Sequence, residues 1–301
     1  MASVWPGTVP ELQEALNRQD YLVNAETGTV VFLALRLQKP LLVEGPAGSG
    51  KTELAKALAR VLGRRLIRLQ CYEGLDEAKA LYEWNYQKQL LHLQAAASGK
   101  GLAPGDNDAA ASVYTLDFLL ARPLLEAITA EEPVVLLVDE LDKSDAEFES
   151  FLLEVLSEFQ VSIPELGVIQ AKQAPVSVLT SNNSRNFGDA LRRRCLHLFL
   201  DYPEFALELA IVRRRVENLE ESLARLAVAV SQRLRRESLR KRPGLAETLD
   251  WALSLRELGV SNAAEVDPDI LRRTLPVLVK QHSDLEKIER RLASILETAR
   301  S

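Results

Sequence analysis

One glycine-rich segment ends in a lysine and a threonine and reads Gly45-Pro46-Ala47-Gly48-Ser49-Gly50-Lys51-Thr52. Glycines let a backbone approach a phosphate closely, and the N–H groups of such a turn can wrap the phosphate at a helix N-terminus. Lys51 would place a point charge on β- and γ-phosphates, and the Thr52 hydroxyl would complete a Mg²⁺ coordination shell. The spacing therefore predicts a P-loop, in which residues 45–52 and the adjoining Glu53 bind a nucleotide and Thr52 also binds the metal.

The residues on either side of this segment agree with that prediction. Residues 40–43 are predicted to form a short apolar strand, and apolar side chains recur at helical spacing from Leu54 to Leu62, where Gly63 stops the run. A chance glycine-rich turn would not require a strand before it and a helix after it. The alternative of a chance turn therefore explains less of the sequence than a P-loop does.

Two acidic residues, Asp139 and Glu140, follow an unbroken apolar run at residues 134–138. Such a run predicts a central parallel strand that is buried on both faces. Ligands of parallel sheets bind beyond the carboxyl ends of the strands, so both acids are expected to face the phosphates held by Lys51. Asp139 would hold Mg²⁺ through water, and Glu140 would polarise the water that attacks the γ-phosphate.

Polar and basic residues later in the chain add two further candidates. Asn182 follows a predicted strand at residues 175–180, and its amide could orient the attacking water; it is preferred to Asn183 by position alone. Three arginines, at positions 192, 193 and 194, precede a predicted strand at residues 196–200. They form either a solvated surface or a group that reaches the γ-phosphate of a neighbouring subunit, and the residues alone leave both readings open.

The composition limits the class of protein. The chain has 301 residues, of which 47% are hydrophobic and 27% charged, and its net charge of −6 gives no electrostatic footprint for nucleic acid. No apolar run approaches the ~20 residues that span a bilayer, and the first residues do not form a secretory signal. We therefore expect a cytoplasmic protein without a membrane span, in which Cys71 and Cys195 are buried thiols.

The remaining patterns predict the order of the elements. Residues 75–97 carry apolar side chains at helical spacing, and residues 99–111 are expected to be mobile; together they lie in an insertion at about 72–121. Ser144 and Glu147 predict a capping box for the helix that follows. Residues 160–163 and 168–171 predict a β-hairpin. We expect an α/β domain over residues 1–203 and a helical domain over residues 204–301, with helices near 207–216, 219–234, 245–258, 270–280 and 285–296.

Taken in order, these features resemble an AAA+ ATPase, and the hairpin and the insertion resemble the MoxR family. Five segments resemble specifically the CoxD-like branch of the MoxR family: residues 139–144, 151–157, 179–182, 190–195 and 241–251. The resemblance implies a P-loop NTPase fold: a doubly wound parallel sheet with a β-hairpin before the sensor-1 strand, followed by an all-α lid. By position it makes Asn182 sensor 1 and Arg194 the arginine finger.

The resemblance also implies function. It implies a hexameric ring that hydrolyses ATP with Mg²⁺ to remodel a client protein, together with a partner that carries a von Willebrand factor A domain. For the CoxD-like branch the client is a molybdenum hydroxylase of the carbon monoxide dehydrogenase type. One departure is that residues 244–247 lack the sensor-2 arginine, so either Arg242 replaces it or the lid is coupled more weakly. An ATP-gated scaffold with little turnover and, less favoured by the acidic net charge, a nucleic-acid motor are the alternatives.

Overall fold

The computed structural model describes residues 5–97 and 113–300. Its strands are β1 Leu41–Glu44, β2 Arg65–Gln70, β3 Tyr82–Trp84, β4 Leu119–Ala121, β5 Val134–Asp139, β6 Gln160–Ile163, β7 Gly167–Gln170, β8 Val176–Ser181 and β9 Leu196–Phe199. Its helices are α1 Val9–Arg18, α2 Ala25–Leu37, α3 Lys51–Leu62, α4 Glu77–Leu81, α5 Tyr86–Ala97, α6 Pro123–Thr129, α7 Ala146–Glu158, α8 Asp189–Arg194, α9 Phe205–Arg215, α10 Glu221–Arg235, α11 Leu245–Glu257, α12 Pro268–Leu278, α13 His282–Glu289 and α14 Leu292–Arg300.

Five of the strands form one sheet in the spatial order β2-β5-β8-β1-β9. Strand β5 pairs in parallel with β2 on one side and with β8 on the other. Every residue of β5 is buried, as expected for a central strand covered by helices on both faces. The predicted α/β fold with a parallel sheet and a helical C-terminal region is confirmed.

Contacts divide the chain into two compact units. The first, here called the sheet unit, contains residues 30–43, 58–97 and 113–198; the second, here called the lid unit, contains residues 5–29, 44–57 and 199–300. The core of the sheet unit packs β5 and β2 against α6 and α7. The core of the lid unit joins α9, α10, α11, α12 and α14 around the fully buried Trp251.

The hairpin before β8 is confirmed. Strands β6 and β7 pair antiparallel, and Ile163 opposes Gly167 at the turn. Gly167 has a φ of +76°, a left-handed conformation that glycine adopts without strain. The turn residues of the sequence thus set this hairpin locally.

The helical spacing over residues 75–97 corresponds to two helices, α4 and α5, but it did not predict the strand β3 that separates them. Helix α4 ends at Leu81, and Tyr82–Trp84 then pairs antiparallel with Leu119–Ala121. The ring of Trp84 makes an edge-to-face contact with Tyr114, at a centroid distance of 5.3 Å. This strand depends on a partner more than thirty positions away, which the local helical spacing does not register. The expectation of mobility for residues 99–111 lies outside the described residues.

Two further helix boundaries differ from the predictions. The N-cap of α7 is Asp145, whose carboxylate accepts from the Phe148 N–H at 2.8 Å, whereas the Ser144 hydroxyl donates to the Leu141 carbonyl in a 3₁₀ turn. The predicted capping box with Ser144 is therefore wrong. The expected helix at residues 285–296 is divided into α13 and α14, because the Arg291 N–H closes a turn onto the Ile288 carbonyl between them.

Candidate functional site

The glycine-rich turn, which belongs to the lid unit, adopts a conformation that requires its glycines. Gly48 and Gly50 have φ values of +79° and +96°. A Cβ on Gly45, whose φ is +155°, would lie 2.1 Å from the Leu200 carbonyl oxygen. Larger residues at these positions would meet backbone strain or a direct clash. The glycines are therefore required by the conformation of the turn and, at Gly45, by the backbone packed against it.

Lys51 begins helix α3 and lies across the turn. Its side chain is buried, and Nζ donates to the carbonyl oxygens of Gly45 and Pro46 at 2.8 and 2.7 Å. Tyr21 supports the other end of the turn, since its hydroxyl donates to the Gly50 carbonyl at 3.3 Å. Burial raises the pKa of Tyr21, so its phenol stays a neutral donor near pH 7.

The turn fits a phosphate ligand. Ser49 Oγ is buried and makes no hydrogen bond within the described part of the chain, although buried polar atoms are almost always paired. It lies in the sequence between Gly48 and Gly50, and the Lys51 side chain, two residues later, is also buried. A phosphate oxygen would give the Ser49 hydroxyl a hydrogen-bond partner.

The tip of the turn contacts the start of helix α11. The Leu245 N–H donates to the Gly48 carbonyl at 3.0 Å, and a Cβ on Gly48 would lie 2.8 Å from Gly244 Cα. The segment that lacks a sensor-2 arginine thus meets the loop through backbone atoms. The Tyr202 hydroxyl donates to the Ala47 carbonyl at 3.3 Å. Burial raises the pKa of Tyr202, and the positive charges of Arg235 and of the exposed Arg242 oppose that rise.

In the sheet unit, Asp139 ends β5 with a side chain that is only 3% exposed. Its Oδ1 accepts from the Thr180 hydroxyl at 2.5 Å. Its Oδ2 accepts from Arg68 Nε and Nη2 at 3.0 and 2.5 Å. Asp139 is therefore held as an oriented carboxylate by partners on both neighbouring strands. Neither Arg68 nor Thr180 was identified from the sequence.

Glu140, the next residue, has a left-handed backbone with a φ of +56°. Its N–H donates to Thr180 Oγ1 at 2.9 Å. Gln70 Nε2 donates to Glu140 Oε2 at 2.9 Å, and Lys143 forms an ion pair with the same oxygen at 2.5 Å. The hydrogen bond that Lys143 donates to Glu140 raises the pKa of Lys143. The Glu140 carboxylate is partly exposed and is held by a neutral and a charged donor.

Asn182 is half-buried directly after β8, which neighbours β5. Its N–H donates to Asp142 Oδ1 at 3.0 Å, and the Ser184 hydroxyl donates to Asp142 Oδ2. Burial raises the pKa of Asp142, but the bonds from Ser184 and Asn182 outweigh burial and leave the pKa below its usual value. Asn183 is exposed with a left-handed φ of +61°. Asp142 thus holds the loop that carries Asn182, a role the sequence analysis missed.

Helix α8 ends in Arg192, Arg193 and Arg194, and all three side chains are exposed. The loop before α8 is fixed by Glu149, which accepts from Arg185 Nη1 at 3.0 Å and from the Gly188 N–H at 2.8 Å. Exposure agrees both with a solvated surface and with reach toward another subunit. The assignment of Arg194 as an arginine finger stays a prediction.

No cluster of three or more His, Cys, Asp or Glu residues that could hold a metal occurs within residues 5–97 and 113–300. Mg²⁺ takes oxygen ligands and commonly binds through one or two protein groups together with waters and substrate phosphates. The Thr52 hydroxyl and the Asp139 carboxylate each offer oxygen atoms of that type.

Comparison with known proteins identifies the family. A family model described as "AAA domain (dynein-related subfamily)" matches residues 40–195, just over half of the 301 residues. The chain belongs to this family. The match begins one residue before β1 and ends one residue after α8, so it contains the P-loop, both acids, Asn182 and Arg194. Family membership supports an ATPase activity and nucleotide binding, and it confirms the resemblance to AAA+ ATPases.

One curated protein and one solved structure are similar to the chain. The gas vesicle ATPase GvpN of Ancylobacter aquaticus is 29% identical over 202 residues, which are 62% of this chain and 52% of GvpN. The chain thus spans about half the length of this curated relative. A mutant of RuvB from Thermotoga maritima matches with a TM-score of 0.50 and 19% identity, over 86% of this chain and 71% of RuvB. The likeness to RuvB shows the fold.

Within the described part of the chain, each helix is too short or too polar to span a bilayer.

Proposed function

We propose that the chain is a Mg²⁺-dependent ATP hydrolase in which the P-loop and the polar residues after β5 and β8 act on one nucleotide. The sheet order carries the proposal, because β5, β8 and β1 are neighbours in that order. Asp139 and Glu140 end β5, Asn182 follows β8, and the P-loop follows β1. Substrates of α/β sheets bind beyond the carboxyl ends of adjacent strands.

Each residue would have a distinct role in this reaction. Residues 45–50 would cradle the phosphates with backbone N–H groups, and Lys51 would neutralise the β- and γ-phosphate oxygens. Thr52 and Asp139 would hold Mg²⁺, which when bound withdraws charge from the phosphates. Glu140 would accept a proton from the attacking water, and Asn182 would orient that water. The finger role of Arg194 belongs to the same proposal and acts across a subunit boundary.

Turnover by the purified chain tests this function. Wild-type protein should release phosphate from ATP in the presence of Mg²⁺, and Lys51→Ala should abolish both binding and release. Lys79→Ala is the matched control, since Lys79 is a lysine in an exposed pair with Asp76, outside residues 45–53. Absence of turnover in the wild type under all metal conditions, with no nucleotide bound, would refute the proposal.

We also propose the finer assignments that the resemblance implies. AAA+ ATPases commonly form ring oligomers, and we propose a hexamer in the cytoplasm that remodels a client with a von Willebrand factor A partner. The CoxD-like assignment makes that client a molybdenum-containing enzyme. In this proposal residues 1–203 bind the nucleotide, with an insertion at about 72–121, and residues 204–301 form the lid.

The ring and the client have separate tests. Native mass spectrometry with ATP should detect six copies, and Glu140→Gln should retain its client for identification by pull-down. Mixing Arg194→Ala with Lys51→Ala should partly restore turnover, because some subunit interfaces regain an intact pair. No recovery in demonstrated mixed rings would return Arg194 to the solvated surface.

An ATP-gated scaffold is the second candidate. The missing arginine at residues 244–247 favours it, because nucleotide would then assemble the ring with little turnover. ATP-dependent assembly without phosphate release, with partner present, would favour the scaffold over the hydrolase. Retention of DNA or RNA at low salt would instead favour a nucleic-acid motor.

A further inference from the structure

A buried ion pair lies inside the lid unit. Arg235 on α10 donates from Nη1 and Nη2 to the two carboxylate oxygens of Glu208 on α9, at 2.7 and 2.6 Å. The Glu208 side chain is 0% and the Arg235 side chain 7% exposed. The Thr248 hydroxyl on α11 completes the cluster by donating to Glu208 Oε1 at 2.9 Å. Such a pair adds little stability over apolar packing. It does fix the relative orientation of the two side chains, because the guanidinium donates two parallel hydrogen bonds to one carboxylate.

Arg235 reaches two other segments from this fixed position. Its Nε donates to the Pro243 carbonyl at 2.8 Å, just before Gly244 and α11. Its guanidinium carbon lies 4.5 Å from the ring centroid of Tyr202. This distance is within the range of a cation–π contact, in which the flat guanidinium stacks on an aromatic face. One buried side chain therefore orients both Tyr202 and the start of α11.

Both oriented segments hold the tip of the P-loop. The Tyr202 hydroxyl donates to the Ala47 carbonyl at 3.3 Å, and the Leu245 N–H donates to the Gly48 carbonyl at 3.0 Å. In a trans peptide the C=O and the following N–H point in opposite directions. The N–H groups of Gly48 and Ser49 consequently point away from these lid donors. Fixing the two carbonyls therefore fixes the direction of these two N–H groups, of which the Ser49 N–H donates to the Pro46 carbonyl at 3.4 Å.

The contact leaves no space for side chains. A Cβ on Gly48 would lie 2.8 Å from Gly244 Cα, and a Cβ on Gly244 would lie 2.7 Å from Gly48 Cα. The loop and the first residue before α11 thus meet with backbone against backbone. A small shift of Pro243 would be passed directly to Gly48, because no flexible side chain separates them.

We propose that Arg235 is a positioning residue for phosphate binding, which acts through Tyr202 and through the start of α11 to orient the N–H groups of Gly48 and Ser49. This inference rests on the proposed function. It assigns a lid arginine to the P-loop although the residues at 244–247 contain none. Arg235 acts on the loop and does not itself contact the phosphates.

The affinity for MgADP, measured by isothermal titration calorimetry, tests the inference. Tyr202→Phe keeps the ring under Arg235 and removes only the hydroxyl, and the loss of one hydrogen bond should weaken MgADP binding about fivefold. Arg235→Lys removes the planar guanidinium, so the contacts with Tyr202 and with the Pro243 carbonyl are both affected, and MgADP binding should weaken about tenfold or more. The exposed Arg225, paired with Glu221 on the same helix, provides the control: Arg225→Lys should bind like the wild type.

The double variant separates positioning from general destabilisation. If Arg235 acts through Tyr202, Tyr202→Phe should cost less in the Arg235→Lys background than in the wild type, because the two changes interrupt one path. Melting temperatures are recorded for each variant, since Arg235→Lys can destabilise the lid while Tyr202→Phe should leave it folded. If Tyr202→Phe is folded and its MgADP affinity stays within about twofold of the wild-type value, the inference is overturned, because losing a hydrogen bond that orients the loop should change the affinity by more than that. Failure of the wild type to bind MgADP would instead overturn the proposed function.

Discussion

Arg68 donates twice to Asp139, the carboxylate that we propose holds Mg²⁺, so its removal should strengthen Mg²⁺ binding. Arg68 Nε and Nη2 donate to Asp139 Oδ2, at the end of the strand where Mg²⁺ is proposed to bind. A charge-assisted pair of this kind contributes about 1.5–3 kcal/mol when protected from water. Arg68 is 49% exposed, and this exposure reduces the estimate to about 1 kcal/mol. Removing the competitor should therefore lower the half-saturating Mg²⁺ concentration about fivefold.

The assay is a Mg²⁺ titration of phosphate release at saturating ATP, with Arg68→Met compared with wild type. Arg65→Met is the matched control, because Arg65 lies on the same strand and pairs with the distant Glu126 at the surface. Without Mg²⁺, Arg68→Met should melt at a lower temperature, since the buried Asp139 carboxylate then loses both hydrogen bonds from Arg68. Mg²⁺ with ADP should recover this loss. An unchanged or higher Mg²⁺ requirement in Arg68→Met would refute the competition argument.

Three further predictions follow from the same geometry. Gln70→Ala removes the neutral hydrogen-bond donor to Glu140. Turnover should fall several-fold while the Kd for ATP stays within about twofold, because the lost hydrogen bond orients the carboxylate that we propose activates water. Equal losses of turnover and of ATP affinity would instead place Gln70 in ATP binding. Gly45→Ala should lower the free energy of unfolding by about 2 kcal/mol or more in urea titrations, because its Cβ would meet the Leu200 carbonyl; wild-type stability would contradict the clash. Burial raises the pKa of Cys71 and of Cys195 to about 12 from 9.0. Both thiols should resist iodoacetamide at pH 8 until the chain is unfolded, and the free energy of unfolding should decline as the pH rises from about 9 toward 12, because the unfolded chain loses these protons first. Rapid alkylation of the native protein would contradict their burial.

Local patterns predicted the parts of the fold that local chemistry determines. The P-loop follows from glycines whose backbone conformations few other residues adopt, and β5 follows from an apolar run that ends in Asp139. The β6–β7 hairpin likewise depends on its own turn residues. In each case the deciding interaction lies within a few residues along the chain. These elements were therefore predictable from the sequence.

The errors fall where distant partners decide. Tyr82–Trp84 is a strand only because Leu119–Ala121 lies beside it, and its own spacing favours a helix. Arg68 and Gln70 contact Asp139 and Glu140 because β2 pairs with β5, roughly seventy positions later. A single sequence does not contain that register. The contacts of Arg68 and Gln70 with the two acids consequently could not be predicted without the sheet order.

The most direct test of the account is a crystal structure of Glu140→Gln with ATP and Mn²⁺, which replaces Mg²⁺ and is located by its anomalous scattering. The account predicts one triphosphate in the loop of residues 45–52, with Lys51 Nζ on its β- and γ-phosphates. The metal should lie about 2.1 Å from Thr52 Oγ1 and within one water of Asp139. A triphosphate bound elsewhere, or Lys51 and Asp139 facing different ligands at full nucleotide occupancy, would contradict the account.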